Sequence, residues 1–211
     1  MSFLVTKYPQ SCLLLEKGGK RLLIDPGSFV TQKYQTTDLL PVDGILITHE
    51  HVDHADPALL AELTAKSIPV IANQSTKNLL GDIITQVIID QEEVELVGFR
   101  VIARELPHSL MLDGSPGPQN TGYVIDGVFF HPGDGKEIKK LIVSSAAIPI
   151  AGPDMSFRDS VDFALQLGCK RIIPVHNDVA GLNPETFKTF VSRSNLPFEI
   201  IPLQNGESTE L

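Results

Sequence analysis

The segment THEHVDHADP, residues 48–57, crowds three of the chain's six histidines and an aspartate into one short stretch: His49, His51, Asp53 and His54. Imidazole nitrogens and carboxylate oxygens are the ordinary ligands of zinc and similar ions. On a helix, positions i and i+2 point about 200° apart, whereas in extended chain they lie on the same side. His49 and His51 can therefore converge on one ion just past a strand end. Once the chain turns, Asp53 and His54 can face a second ion nearby. Two neighbouring cations form a hydrolytic clamp that generates a nucleophile from water and polarises the bond under attack. Such chemistry requires no serine or cysteine nucleophile.

The elements that must position these groups are legible on either side. The apolar run GILIT, 44–48, reads as a strand buried on both faces that ends at the cluster. Asp56 and Pro57 then supply an N-cap and a first helical residue, opening a helix expected to run to about Lys66. Upstream, FLVTKY, CLLLEK and KRLLID read as strands, the last two joined by a Gly-Gly hairpin and stopped by Asp25-Pro26-Gly27. Residues 28–43 read as a polar loop. Downstream, IPVIAN, QVIID, EVELVG and FRVIARELP read as strands, with a short helix at STKNLLGD. The Gly/Pro-rich stretch 109–122 is a long loop of the kind that shapes a binding pocket. GYVIDGVFFHPGD reads as a tight hairpin turning at Asp126-Gly127. KKLIVSS reads as a strand, MSFRDSVDFALQLG as a helix, CKRIIPVHND as a strand, NPETFKTFVSR as a helix and FEIIPL as a last strand. Hairpins first, then strands alternating with helices, imply an α/β (α+β) fold of two packed sheets with helices outside.

A chain of 211 residues suits a single domain, 1–211, able to bury a full core without disulfides. Its net charge of −9 repels phosphate backbones and argues against a nucleic-acid partner. No apolar run approaches the roughly 20 residues that span a bilayer, and the first residues do not form a charged-then-apolar leader. Cys12 and Cys169 sit in no C-x-x-C pattern and read as reduced core thiols. Together these point to a cytoplasmic protein with no nucleic-acid partner and no membrane, and the histidine cluster adds a small-molecule substrate.

THEHVDHAD after an apolar strand resembles the metallo-β-lactamase superfamily. ARELPHSL, FFHPGDG and RIIPVHND resemble its later motifs in the right order, so the likeness spans nearly the whole chain. The resemblance implies a four-layer αββα sandwich with two mixed sheets face to face. It implies two divalent metal ions, zinc by default, with manganese, iron and nickel also suited. His49, His51 and His108 would hold the first ion, Asp53, His54 and His176 the second, and Asp134 would bridge them. Asp53 would also orient the attacking water. His131, in FFHPGD, resembles a histidine of the superfamily's lactonase-like and phosphodiesterase-like small enzymes, the L-ascorbate-6-phosphate lactonase-like branch among them. It would lie near the metals or carry a proton. Asp25, ending RLLID, matches the family's supporting aspartate, since carboxylates behind the ligands orient metal-bound imidazoles.

The activity implied is hydrolysis of an ester or lactone, with phosphodiester hydrolysis as the alternative. Three other classes compete less well. The superfamily's oxygen-reducing iron proteins resemble H-x-E-x-D, and this chain has His51 where they carry glutamate. Its ribonucleases have additional arms, which neither the length nor the −9 charge favours. A protein that binds metal without catalysis leaves a complete ligand set unexplained.

Overall fold

The computed structural model describes residues 2–65 and 67–211. In chain order its strands are β1 (Leu4–Lys7), β2 (Leu13–Lys17), β3 (Lys20–Ile24), β4 (Gly44–Leu46), β5 (Val70–Ala72), β6 (Gln86–Val87), β7 (Glu93–Leu96), β8 (Phe99–Glu105), β9 (Thr121–Ile125), β10 (Phe129–His131), β11 (Ser145–Pro149), β12 (Arg171–Val175), β13 (Glu199–Ile200) and β14 (Ser208–Glu210). One sheet has the order β14-β1-β2-β3-β4-β5-β6 and the other β13-β12-β11-β10-β9-β8-β7. Both are mixed. β3 through β6 run parallel, as do β10 through β13, and the other pairings are antiparallel.

Alternation along the strands builds the layers. Leu13, Leu15, Leu22, Ile24 and Leu46 of the first sheet meet Phe99, Val101, Tyr123, Ile125 and Val175 of the second in one central core. The intervening Leu14, Leu23 and Ile45 face the opposite way. They pack with Leu39 of α2 (Thr36–Leu39) and with Leu59, Leu60 and Leu63 of α3 (Pro57–Thr64). On the far side Phe130, Ala146, Ile148 and Ile172 pack under Phe163 of α5 (Phe157–Gln166) and Phe187 of α6 (Pro184–Val191). Three apolar cores thus separate four layers, helices outside two sheets. Two more short helices, α1 (Ser28–Thr31) and α4 (Gln74–Leu80), complete the set.

Many local expectations hold. Asp56 caps α3 through the Ala58 and Leu59 amides, with Pro57 next. The expected end of that helix at Lys66 lies outside the described residues. Asp126 and Gly127 have φ of 52° and 72°, the left-handed pair of a type I′ turn. Three expectations need correcting. Residues 28–43 contain α1 and α2, one turn each, which local polarity hid. The strand assigned to KKLIVSS begins only at Ser145. Lys139 and Lys140 are exposed, whereas all five residues of β11 are buried between two parallel neighbours, a place only SAAIP can fill. A terminal strand, β14, pairs with β1, although STE carries no strand pattern.

Five strands of the two sheets end at one rim. β3 releases Asp25, β4 the 49–54 segment, β8 His108, β10 Asp134 and β12 His176. Among the described residues, no helix is long and apolar enough to cross a membrane.

Candidate metal centre

The seven side chains expected to act together do meet at that rim. Ligand atoms of His49, His51, His108 and Asp134 lie within 4.8 Å of one another, and so do those of Asp53, His54 and His176. Asp134 reaches both groups: Oδ2 is 3.4 Å from His108 Nε2 and 3.1 Å from His176 Nε2, and Oδ1 is 3.0 Å from His54 Nε2.

Four of the rings are fixed by their Nδ1 atoms. His49 Nδ1 lies 3.0 Å from Thr48 Oγ1, whose hydroxyl donates to Asp25 Oδ2 at 2.7 Å. His54 Nδ1 is 2.8 Å from the same Asp25 oxygen. His108 Nδ1 faces the Ser109 carbonyl at 2.5 Å and His176 Nδ1 the Ala151 carbonyl at 2.9 Å. When the ring is neutral, each acceptor keeps the remaining proton on Nδ1 and so turns the Nε2 lone pair toward the common space. His51 instead turns Nδ1 toward His49 Nε2, at 3.1 Å.

The donor set fits divalent cations. Five imidazoles and two carboxylates surround the space. His54 Nε2, His108 Nε2 and Asp134 Oδ1 are buried there with no well-aligned hydrogen bond, although Asp134 lies 3.0 Å from His54 and 3.4 Å from His108. A poorly satisfied buried polar atom costs up to about 1–3 kcal/mol, which a bound cation would recover. The electrostatics agree. Burial, with the other rings adding repulsion, holds His49 well below the usual histidine range. Burial and the nearby His108 lower His51 as well, so both rings are neutral, as ligation demands. Burial opposes the charge on Asp134, but His176 and His54 outweigh it and keep the carboxyl well below the usual range. On the other side burial disfavours protonated His54 and His176, yet Asp134 prevails. His54 is pushed well up and His176 up to about 9. Without a cation, these two rings carry protons that a cation would replace.

Asp25 is fully buried at the heart of the support. Besides His54 and the Thr48 hydroxyl, it accepts the Thr48 amide at 2.8 Å, and its own φ is 51°. His131 is also fully buried and close by, but its ring is occupied on both sides. Nε2 is 2.8 Å from the Ser11 carbonyl, and Nδ1 accepts the Gly133 amide at 3.2 Å. That arrangement, with Nε2–H donating and Nδ1 accepting, ties the PGD turn to the β1–β2 loop.

Sequence reasoning passed over other residues here. Gln10, at a φ of 64°, donates from Nε2 to Asp53 Oδ2 at 2.9 Å and lies 2.9 Å from His176 Nε2. Its backbone N–H donates to Asp178 Oδ2, and its backbone carbonyl accepts from the His176 N–H. No pattern around YPQSC marks it; only the fold brings it there. Asn120 accepts the Asp134 amide, and Ser109 donates its amide and hydroxyl to the Asp134 carbonyl. Gly117 packs so closely on His108 that a Cβ would lie 2.3 Å from Nδ1.

Comparison with known proteins agrees with this geometry. The family described as beta-lactamase superfamily domain matches residues 4–176. Protein Rv0786c of Mycobacterium tuberculosis is 28% identical, covering 96% of this chain and 98% of its own. A protein of Thermococcus onnurineus named UPF0173 metal-dependent hydrolase is 31% identical, covering 92% and 93%. Among solved structures, Igni18, a metallo hydrolase from Ignicoccus hospitalis, superposes with a TM-score of 0.79 at 20% identity, covering 100% of this chain and 99% of its own. The chain belongs to the beta-lactamase superfamily, and its relatives put it with that superfamily's metal-dependent hydrolases.

Proposed function

We propose that the protein is a cytoplasmic hydrolase that cleaves an ester or lactone at two divalent cations, zinc in the first instance. His49, His51 and His108 would hold one cation, Asp53, His54 and His176 the other, with Asp134 between them. The observation that carries this reading is the convergence of five imidazoles and two carboxylates on one space, with four of the rings braced at Nδ1. Bound cations supply Lewis acidity, lowering the pKa of water from about 15.7 toward 7 and drawing charge from a carbonyl oxygen.

The chain's own groups do the rest. Asp53 keeps Oδ2 on the Gln10 amide and offers Oδ1 to the proton of the attacking water. The same oxygen returns that proton to the departing oxygen, while His131 holds the PGD turn through Ser11 and Gly133. Asp25 fixes the His54 ring directly and the His49 ring through Thr48. The Gly/Pro loop contributes Leu110 and Met111 to the wall above the centre. An ester is favoured over a phosphodiester because no lysine or arginine lines that cavity. Two buried unpaired thiols, Cys12 and Cys169, suit a reducing compartment.

The test is metal content alongside hydrolysis of an ester, lactone and phosphodiester panel, for the native chain, His51→Ala and Asp134→Ala. Both variants are expected to lose metal and activity together. Full activity in either, at matched metal, overturns the assignment.

A further inference from the structure

Above the cluster opens a cavity of about 500 Å³. Its floor is the polar set His51, Asp53, His108, Asp134 and His176. Its walls are Val52, Leu110, Met111, Pro153, Val179 and Ala180, joined by the backbone of Gly152. Every lining residue outside the candidate ligands is therefore apolar or glycine. The walls are also unusually bare. Val52 is 58% exposed, Leu110 45% and Val179 51%. Nine large apolar side chains are exposed among the described residues, and these three share one opening. Apolar surface left facing water around a concave site marks what a ligand will cover.

The nearby cations are directed elsewhere. Lys33 is bound to Asp178 at 2.9 Å and Lys136 to Asp154 at 2.7 Å, and neither lines the cavity. A phosphate, sulfate or carboxylate lying against these walls would be stripped of water with no partner offered in return, which is strongly unfavourable. An alkyl or aryl group there would gain about 0.8 kcal/mol for each methylene buried, close to a fourfold effect.

Resting on the hydrolase reading above, we propose that the substrate places an uncharged apolar acyl arm against Val52, Leu110 and Val179, with its carbonyl at the metal cluster. The reaction is balanced by water alone. The water oxygen bonds to the carbonyl carbon, the bond from that carbon to the leaving oxygen breaks, and one proton of the water passes to the leaving oxygen. The products are a carboxylic acid with an apolar tail and an alcohol. A lactone yields both on one molecule.

The experiment separates arm recognition from catalysis. Calorimetry on the zinc-loaded protein measures affinity for butanoate, hexanoate and octanoate, and for the dicarboxylates succinate and adipate. Affinity is expected to rise about three- to fourfold per methylene in the first series, and the dicarboxylates to bind more weakly than monoacids of equal length. Val179→Asp and Leu110→Asp, both at exposed positions outside the candidate ligand set, should flatten that rise while zinc content and melting temperature hold. A flat series, or dicarboxylates binding as well as monoacids, overturns the apolar arm and leaves the hydrolase reading intact. A steep series with no hydrolysis of the matching p-nitrophenyl esters overturns the hydrolase reading and supports the apolar cavity.

Discussion

Replacing Asp25 with asparagine should disable both halves of the centre without touching a proposed ligand. Asp25 accepts three hydrogen bonds: the Thr48 amide on Oδ1 at 2.8 Å, and the Thr48 hydroxyl at 2.7 Å and His54 Nδ1 at 2.8 Å, both on Oδ2. Asparagine keeps the shape and the Oδ1 acceptor but puts an NH2 where Oδ2 was. That NH2 now donates, so His54 Nδ1 must accept and the ring's proton moves to Nε2. The Thr48 hydroxyl likewise turns to accept from the amide and donates toward His49 Nδ1, moving the His49 proton to Nε2 as well. Two N–H groups then point where lone pairs were. Losing such a partner behind a ligand typically lowers metal affinity 10–100-fold, or about 1.4–2.8 kcal/mol per site. Titration of the chelator-stripped protein with zinc against a competing indicator reads this directly, and urea unfolding checks that the fold survives. Native affinity for both equivalents of zinc in Asp25→Asn would refute the relay through Thr48 and His54.

Gly117→Ala should act on the first cation alone. Its Cβ would press on the His108 ring at 2.3 Å, and a displacement of about 1 Å at a catalytic centre can lower the rate roughly 100-fold; native turnover and zinc affinity would argue against that contact. The stability of the stripped protein should depend on pH in two senses. His176 is raised to about 9 and His54 is raised too, so their contribution is complete below about 6.5 and is lost as the pH climbs through 9. Asp53 and Asp134 are depressed, so theirs is complete above about 4 and is lost on acidification. Urea midpoints from pH 4 to 10 should therefore fall on the alkaline side for stripped protein, and zinc, by displacing the ring protons, should remove that fall. The thiols should be silent: burial pushes Cys12 well up and Cys169 up to about 12, so a disulfide reagent at pH 8 should label neither until denaturant is added.

Much of this centre was visible in the sequence because ligand spacing obeys strand geometry. His49 and His51 read as a convergent pair as soon as GILIT read as a strand. His108, Asp134 and His176 each follow an apolar run, and those runs became β8, β10 and β12. What stayed hidden depends on long-range approach. Gln10 reaches His176 across 166 positions, and nothing local announces that contact. The backbone partners of His131, Ser11 and Gly133, are equally invisible in the sequence, since Ser11 lies 120 positions away. The β11 strand was misplaced because KKLIVSS and SAAIP are both strand-like in isolation, and burial between parallel neighbours decides between them. β14 has no apolar signature, and only its pairing with β1 defines it as a strand.

The rim where five strands end also joins the two sheets. The 49–54 segment comes from one sheet, and His108, Asp134 and His176 from the other, so a cation shared by both groups would act as a clasp across the sandwich. The two sheets could then not separate at that edge without releasing the ion. Loading and unfolding become linked events, and backbone amides bordering the clasp should exchange with solvent more slowly once it is shut.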